Sequence, residues 1–150
     1  MEETVLIYLQ RNNQYLMLFR NKKSNDLNKG KYLGIGGHIE NNESQESAAI
    51  REVKEETGLN LLSSIKRGII TFTNDDYSEI MHLFTSQDFN GELIECDEGT
   101  LEWVDIDKIT YLPIWDGDKY FLELLKNDEQ YFELELKYSN DKLIDAKRIK

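Results

Sequence analysis

Apolar residues recur along this chain in two different periods, and the change of period marks out its elements. Residues 4–10 (TVLIYLQ) and 14–20 (QYLMLFR) are dense in β-branched, aromatic and aliphatic side chains. The polar Arg11, Asn12 and Asn13 between them suit a turn, so the pair predicts a β-hairpin. Residues 21–31 are polar, with four lysines and Gly30, the pattern of a loop. A short strand is expected at 32–35, leading into Gly36 and Gly37. From 44 to 57 the spacing becomes helical: Ala49, Ile50 and Val53 form an apolar face, Ser44 supplies a cap and Gly58 a stop.

Strand patterns return at 65–73 and 80–86, and more briefly at 101–104. Residues 105–109 suit a single helical turn, and 115–126 carry Tyr120, Leu122, Leu124 and Leu125 at helical spacing. Residues 131–138 alternate as an edge strand would, and 142–149 read as a weaker last strand. Strands and helices mix without regular βαβ repetition, which predicts an α+β fold with a mixed central sheet rather than a doubly wound one. No repeat, low-complexity tract or linker interrupts the pattern, so residues 1–150 read as a single domain with enough chain to bury a core.

Charge narrows the partners. The chain has 29 acidic and 18 basic residues, a net charge of −11. A field of that sign opposes binding to polymeric nucleic acid, whose affinity rests on cationic contacts to phosphate. A small phosphorylated ligand stays compatible when a divalent cation neutralises the local charge. Cys96 is the only cysteine, which excludes an intrachain disulfide and fits a reducing compartment. The first residues lack a basic segment followed by a long apolar one, and nothing approaches the ~20 apolar residues of a membrane helix. A cytoplasmic protein with no membrane partner, monomer or homodimer, is the expectation.

The acids of the first helix carry the chemistry. Glu52, Glu55 and Glu56 stand at i, i+3 and i+4, so they are neighbours on one helical face. A charged helix face is most often only solvated, and Arg51 and Lys54 could compensate this one. The surroundings argue otherwise. Gly36 and Gly37 let backbone approach an ion or phosphate. Glu43 stands eight residues before Arg51, where the two can pair. Oxygen-only ligands favour Mg²⁺, Mn²⁺ or Ca²⁺.

Gly37, five residues, Glu43, seven residues, then Arg51-Glu52-Val53-Lys54-Glu55-Glu56-Thr57-Gly58-Leu59 matches the Nudix box at every defined position. The chain thus resembles a Nudix hydrolase. The resemblance implies an α/β/α sandwich and Mg²⁺-dependent cleavage, with Mn²⁺ as a substitute, of a nucleoside diphosphate linked to another group. It implies Glu52, Glu55, Glu56 and the carbonyl of Gly36 as metal ligands, Glu56 as the first candidate for general base, and Glu43, Arg51 and Gly58 as structural.

Residues 101–125 resemble the corresponding part of the 8-oxo-dGTP diphosphatases, the MutT-type branch that sanitises nucleotide pools. On that resemblance Trp115 stacks on the purine and Asp118 reads its edge, Thr4 and Arg20 lie at the pocket edge, and Gly37 and His38 lie at the phosphates. Glu98 becomes a further metal ligand or general base, with Cys96 beside it a bystander thiol. Two positions depart from the branch: Leu33 stands where an Asn bonds the purine, and Gly117 where an acid is expected. Phe72 and Tyr77 read as sheet residues. The alternatives are another Nudix diphosphatase, acting on a nucleotide sugar, ADP-ribose or a dinucleoside polyphosphate, and a nucleotide-sensing domain that does not cleave.

Overall fold

Strand β1 (Glu2–Arg11) shows how a run of apolar residues makes a two-sided sheet. Successive side chains of a strand point to opposite faces. Val5, Ile7 and Leu9 enter one buried core, and Leu6 and Tyr8 enter another. A computed structural model describes residues 1–150 and places a helix over each of these cores.

The strands in chain order are β1, β2 (Gln14–Phe19), β3 (Tyr32–Leu33), β4 (Ile35–His38), β5 (Asn60–Asn74), β6 (Tyr77–Asn90), β7 (Thr100–Asp105), β8 (Phe132–Ser139) and β9 (Lys142–Arg148). The main sheet runs β4-β1-β6-β5-β8-β9, while β2 carries β3 and β7 beside the end of β1. Pairs β1–β6 and β5–β8 are parallel and the rest antiparallel, so the sheet is mixed, as the sequence predicts. With a helix against each face it forms the expected α/β/α sandwich.

Helix α1 (Gln45–Thr57) begins where Ser44 accepts a hydrogen bond from the Ser47 amide at 3.0 Å, a cap worth about 1 kcal/mol. It ends at Gly58, whose φ of 81° lies in the left-handed region. Ala48, Ala49 and Val53 pack into the core with Ile7 and Leu16, whereas Ile50 is about half exposed and lies off that face. Helix α2 (Asp118–Lys126) covers the other core with Phe121, Leu122 and Leu125. Each such fully buried side chain contributes roughly 1.5–3 kcal/mol.

The structure differs from expectation at four elements. The strand expected at 32–35 divides at Gly34 into β3, which pairs with β2, and β4, which pairs with β1 and contains Gly36 and Gly37. Strands β5 and β6 run longer than predicted, because residues 60–64 and 87–90 continue to pair past bulges, with Leu61 and Phe89 packing on the core. Helix α2 starts at Asp118 rather than 115, since Trp115 and Asp116 precede its first turn. Strand β8 is not an edge: β5 pairs with it on one side and β9 on the other. Its alternation of buried and half-open positions mimics an edge because one face meets α2 and the other stays partly in solvent.

Candidate active site

Arg51 organises the acidic end. Its guanidinium donates to Glu43 at 2.8 and 3.0 Å, to Glu52 at 2.8 Å, to Glu55 at 3.3 Å and to the carbonyl of His38 at 2.9 Å. That fork holds the Glu43 carboxyl down to about 2 and ties the β4 loop to α1. Only a planar guanidinium can serve so many acceptors at once. Gly37 lies against Glu52, and a Cβ there would sit 2.5 Å from its carboxylate. Arg51→Ala is expected to weaken Mn²⁺ binding by about 10–100-fold, the usual cost of losing an outer-shell orienting group, measurable by calorimetry.

The three helix glutamates share a face but not an environment. The Glu52 side chain is 13% exposed and lines a cleft. Glu55 is 59% exposed, held by Arg51, and does not line that cleft. Glu56 is buried, and its Oε2 has no hydrogen-bond partner. Burial first, then Glu52 and Glu98, push the Glu56 carboxyl up to about 10. Ligand atoms of Glu56, Cys96 and Glu98 lie within 4.8 Å of one another. An orphaned buried carboxylate oxygen among other acids is a group short of a cation, so this donor set fits a divalent metal. Arg20 reaches Glu98 at 3.5 Å while its Nε bonds Asp26 at 2.8 Å.

The cleft has a volume of about 590 Å³ and runs from Glu52 and Glu98 to the start of α2. Gly36, Gly37, His38, Arg20 and Glu98 line it on the acidic side, Trp115, Asp118 and Leu33 line it further along, and Thr4, paired with His38 across β1 and β4, lies between. Trp115 is 5% exposed and belongs to the core as well, edge-on to Phe72 and Tyr138, with its indole N–H donating to Asn28 at 2.7 Å. Asp118 is buried, and desolvation, reinforced by the Glu79 carboxylate and opposed by Lys31, pushes its carboxyl up to about 8. Thr4 donates to Glu79 at 2.6 Å and Tyr77 to the other Glu79 oxygen at 2.8 Å. The Gly117 amide donates to the Tyr138 hydroxyl, and a Cβ at 117 would meet that oxygen, so the fold leaves no space for an acid there. His38 is largely exposed at the mouth, 3.2 Å from Glu2.

The NUDIX domain profile matches residues 2–125. This chain belongs to the Nudix hydrolase family. Over 104 residues it is 36% identical to a Danio rerio protein named oxidized purine nucleoside triphosphate hydrolase, spanning 68% of this chain and 67% of that one. A Mus musculus protein of the same name is 31% identical over 104 residues, with the same coverage. The crystal structure of a MutT protein from Bacillus halodurans superposes with a TM-score of 0.89 at 22% identity, covering 99% of this chain and 98% of that one. That likeness in fold extends over β8 and β9, which lie beyond the matched domain.

This Nudix fold brings together most of the residues singled out in the sequence, and it adds others. Phe72, Tyr77, Glu79, Met81 and Asn28 all line the cleft. In the sequence Phe72 and Tyr77 read only as sheet residues, because alternation reports which face a side chain takes, not what lies opposite it. Asn28 sits in a polar loop and has no local signal at all. Two proposed ligands lie off the cleft lining: Glu56 is buried beside Glu98, and Glu55 is exposed and must leave Arg51 to reach the cleft.

Proposed function

We propose that this Nudix hydrolase cleaves a purine nucleoside triphosphate, with an oxidised purine such as 8-oxoguanine as the base, to the nucleoside monophosphate and pyrophosphate, using Mg²⁺ or Mn²⁺. One observation carries the reading: a single cleft joins an aromatic, hydrogen-bonding end to an acidic, cation-seeking end. The names of the fish and mouse relatives support it.

Glu52, Glu56, Glu98 and the Gly36 carbonyl would hold the ions, with Glu55 a more distant donor. Bound divalent cations supply charge neutralisation at the phosphates and a more acidic water. Water attacks a phosphorus, a P–O bond of the anhydride breaks, and pyrophosphate leaves. Glu98 is our choice to receive the water's proton: it lines the cleft, whereas Glu56 holds its own proton in the metal-free fold. Arg20 and His38 would meet phosphate oxygens, with Gly37 giving close backbone approach. The face of Trp115 would stack on the base. Asp118, neutral at pH 7, can donate a hydrogen bond to the base edge while Glu79 offers an acceptor. Leu33 would make only an apolar contact, so the polar reading of the base would fall to Asp118 and Glu79.

Chromatography of products from 8-oxo-dGTP, dGTP, ADP-ribose and a diadenosine polyphosphate tests this. Fastest turnover is expected for the oxidised triphosphate. Faster cleavage of ADP-ribose or the dinucleotide would overturn the substrate, and no cleavage of any would favour a sensor.

The Asp118 carboxyl also makes a stability prediction. Its ordinary value is 3.8, and the fold raises it to about 8. As pH climbs between these values the unfolded chain releases the proton while the native chain keeps it, so native stability falls, then levels off. Asp118→Asn removes that loss. Its melting temperature relative to the natural protein is expected to rise steadily from pH 4 to about 8 and then stay constant, as followed by circular dichroism.

A further inference from the structure

The thiol of Cys96 has no role in the reaction above, yet the residue is only 4% exposed and sits among reactive oxygens. Its Sγ and one carboxylate oxygen each from Glu56 and Glu98 all lie within 4.8 Å of one another. Glu56 is itself 6% exposed, and its Oε2 is buried with no partner. The backbone that delivers the thiol is fixed from outside, since Lys22 donates to the Cys96 carbonyl at 2.7 Å and reaches Glu95 at 3.3 Å. A buried carboxyl with an unpartnered oxygen, a buried thiol and the partly exposed Glu98 carboxylate, which Arg20 reaches at 3.5 Å, are a different donor set from the oxygen-only one that suits Mg²⁺.

We propose that Glu56, Cys96 and Glu98 form a binding site for a thiophilic divalent cation, Zn²⁺ above all, reached from the cleft through Glu98 with the other two donors buried behind it. The proposal rests on reading Glu56 and Glu98 as ion ligands. Thiolate sulfur shifts preference from Mg²⁺ and Ca²⁺ towards Zn²⁺ and Co²⁺, and three protein donors plus one water complete a tetrahedron. With bonds of ~2.3 Å to sulfur and ~2.0 Å to oxygen, the donors of such a site stand ~3.5 Å apart, so the trio has about 1 Å to close. On binding, the Sγ–H bond and the O–H bond of the Glu56 carboxyl break, both protons pass to solvent, and the freed sulfur and oxygen lone pairs bond the cation beside Glu98; nothing is oxidised or reduced. Zn²⁺ held there takes Glu56 and Glu98 away from Mg²⁺, so it acts as an inhibitor competing with the activating ion.

The test uses the full metal-free chain and Co²⁺ as a visible stand-in for Zn²⁺. A thiolate-to-cobalt charge-transfer absorption is expected, saturating near one equivalent, displaced by one equivalent of Zn²⁺ and not by one of Mg²⁺. Cys96→Ser should abolish the band and weaken Zn²⁺, measured by competition with a chelating dye, at least tenfold. Cys96 is the only cysteine, so a band in the natural protein reports this thiol even if the variant does not fold. Co²⁺ bound without the band, no Co²⁺ bound at all, or a folded Cys96→Ser with unchanged Zn²⁺ affinity overturns the proposal. The readout needs no nucleotide. Loss of 8-oxo-dGTP cleavage with the band intact would sink only the substrate, and Mg²⁺-supported cleavage without the band would sink only this site.

Discussion

Glu56→Gln is expected to lower kcat by at least about 10³-fold, equivalent to about 4 kcal/mol of transition-state stabilisation, while the metal-free protein keeps or raises its melting temperature. The two effects separate because Glu56 is costly to the fold and needed by the proposed chemistry. Its carboxyl is buried, one oxygen has no partner, and desolvation with Glu52 and Glu98 pushes it up to about 10. The metal-free protein therefore carries it neutral at pH 7, and a glutamine has the same shape without the penalty of ionisation. A glutamine cannot become an anion, so ion binding fails when Mg²⁺ is added. Steady-state kinetics and a thermal melt in a chelator measure the pair. A variant that folds and retains more than a tenth of the natural kcat would remove Glu56 from the ion site.

Trp115→Ala has the largest expected effect on stability. Removing a buried indole costs about 3–5 kcal/mol, a large share of the 5–15 kcal/mol typical of a domain. Trp115 joins Phe72 and Tyr138 edge-on, and its N–H is bonded to Asn28 from the 21–31 loop, so truncation also frees that loop. Trp115→Phe keeps a ring and loses the Asn28 bond, which makes it the cleaner probe of function. Base stacking is worth about 1–3 kcal/mol, so KM for the nucleotide should rise by roughly 5–150-fold in a folded Trp115→Ala, with Trp115→Phe between. An unchanged KM in both would mean that the indole serves the core alone.

The residues of the box were legible because their relations are local. Ser44 caps and Gly58 terminates within one helix, and Glu43 reaches Arg51 across a single loop. The family profile and the folded structure agree with that reading, down to a mixed sheet between helices. The same local pattern could not rank the glutamates. Helical spacing puts Glu52, Glu55 and Glu56 on one face, yet Glu56 is buried and Glu55 lies mostly in water. The difference comes from what packs there, the segment around Cys96 and Glu98, some forty residues further along.

Gly117 illustrates the reverse case. In the sequence it is only a missing acid. In the structure the Tyr138 hydroxyl, from a strand beyond the matched domain, occupies the space an acid side chain would need and takes the Gly117 amide's hydrogen bond.

By itself, then, the sequence determined most of the elements, the acidic helix with its cap and stop, and the membership of the family, because each depends on residues within one or two turns or strands. Only the tertiary structure decided that β8 lies inside the sheet, that Phe72, Tyr77 and Glu79 face the same cleft as Trp115, and that Cys96 lies close to both Glu56 and Glu98. Those are contacts between distant segments. Periodicity gives the face a side chain takes, and the partner on that face is set by sheet order and by the loops that close over it.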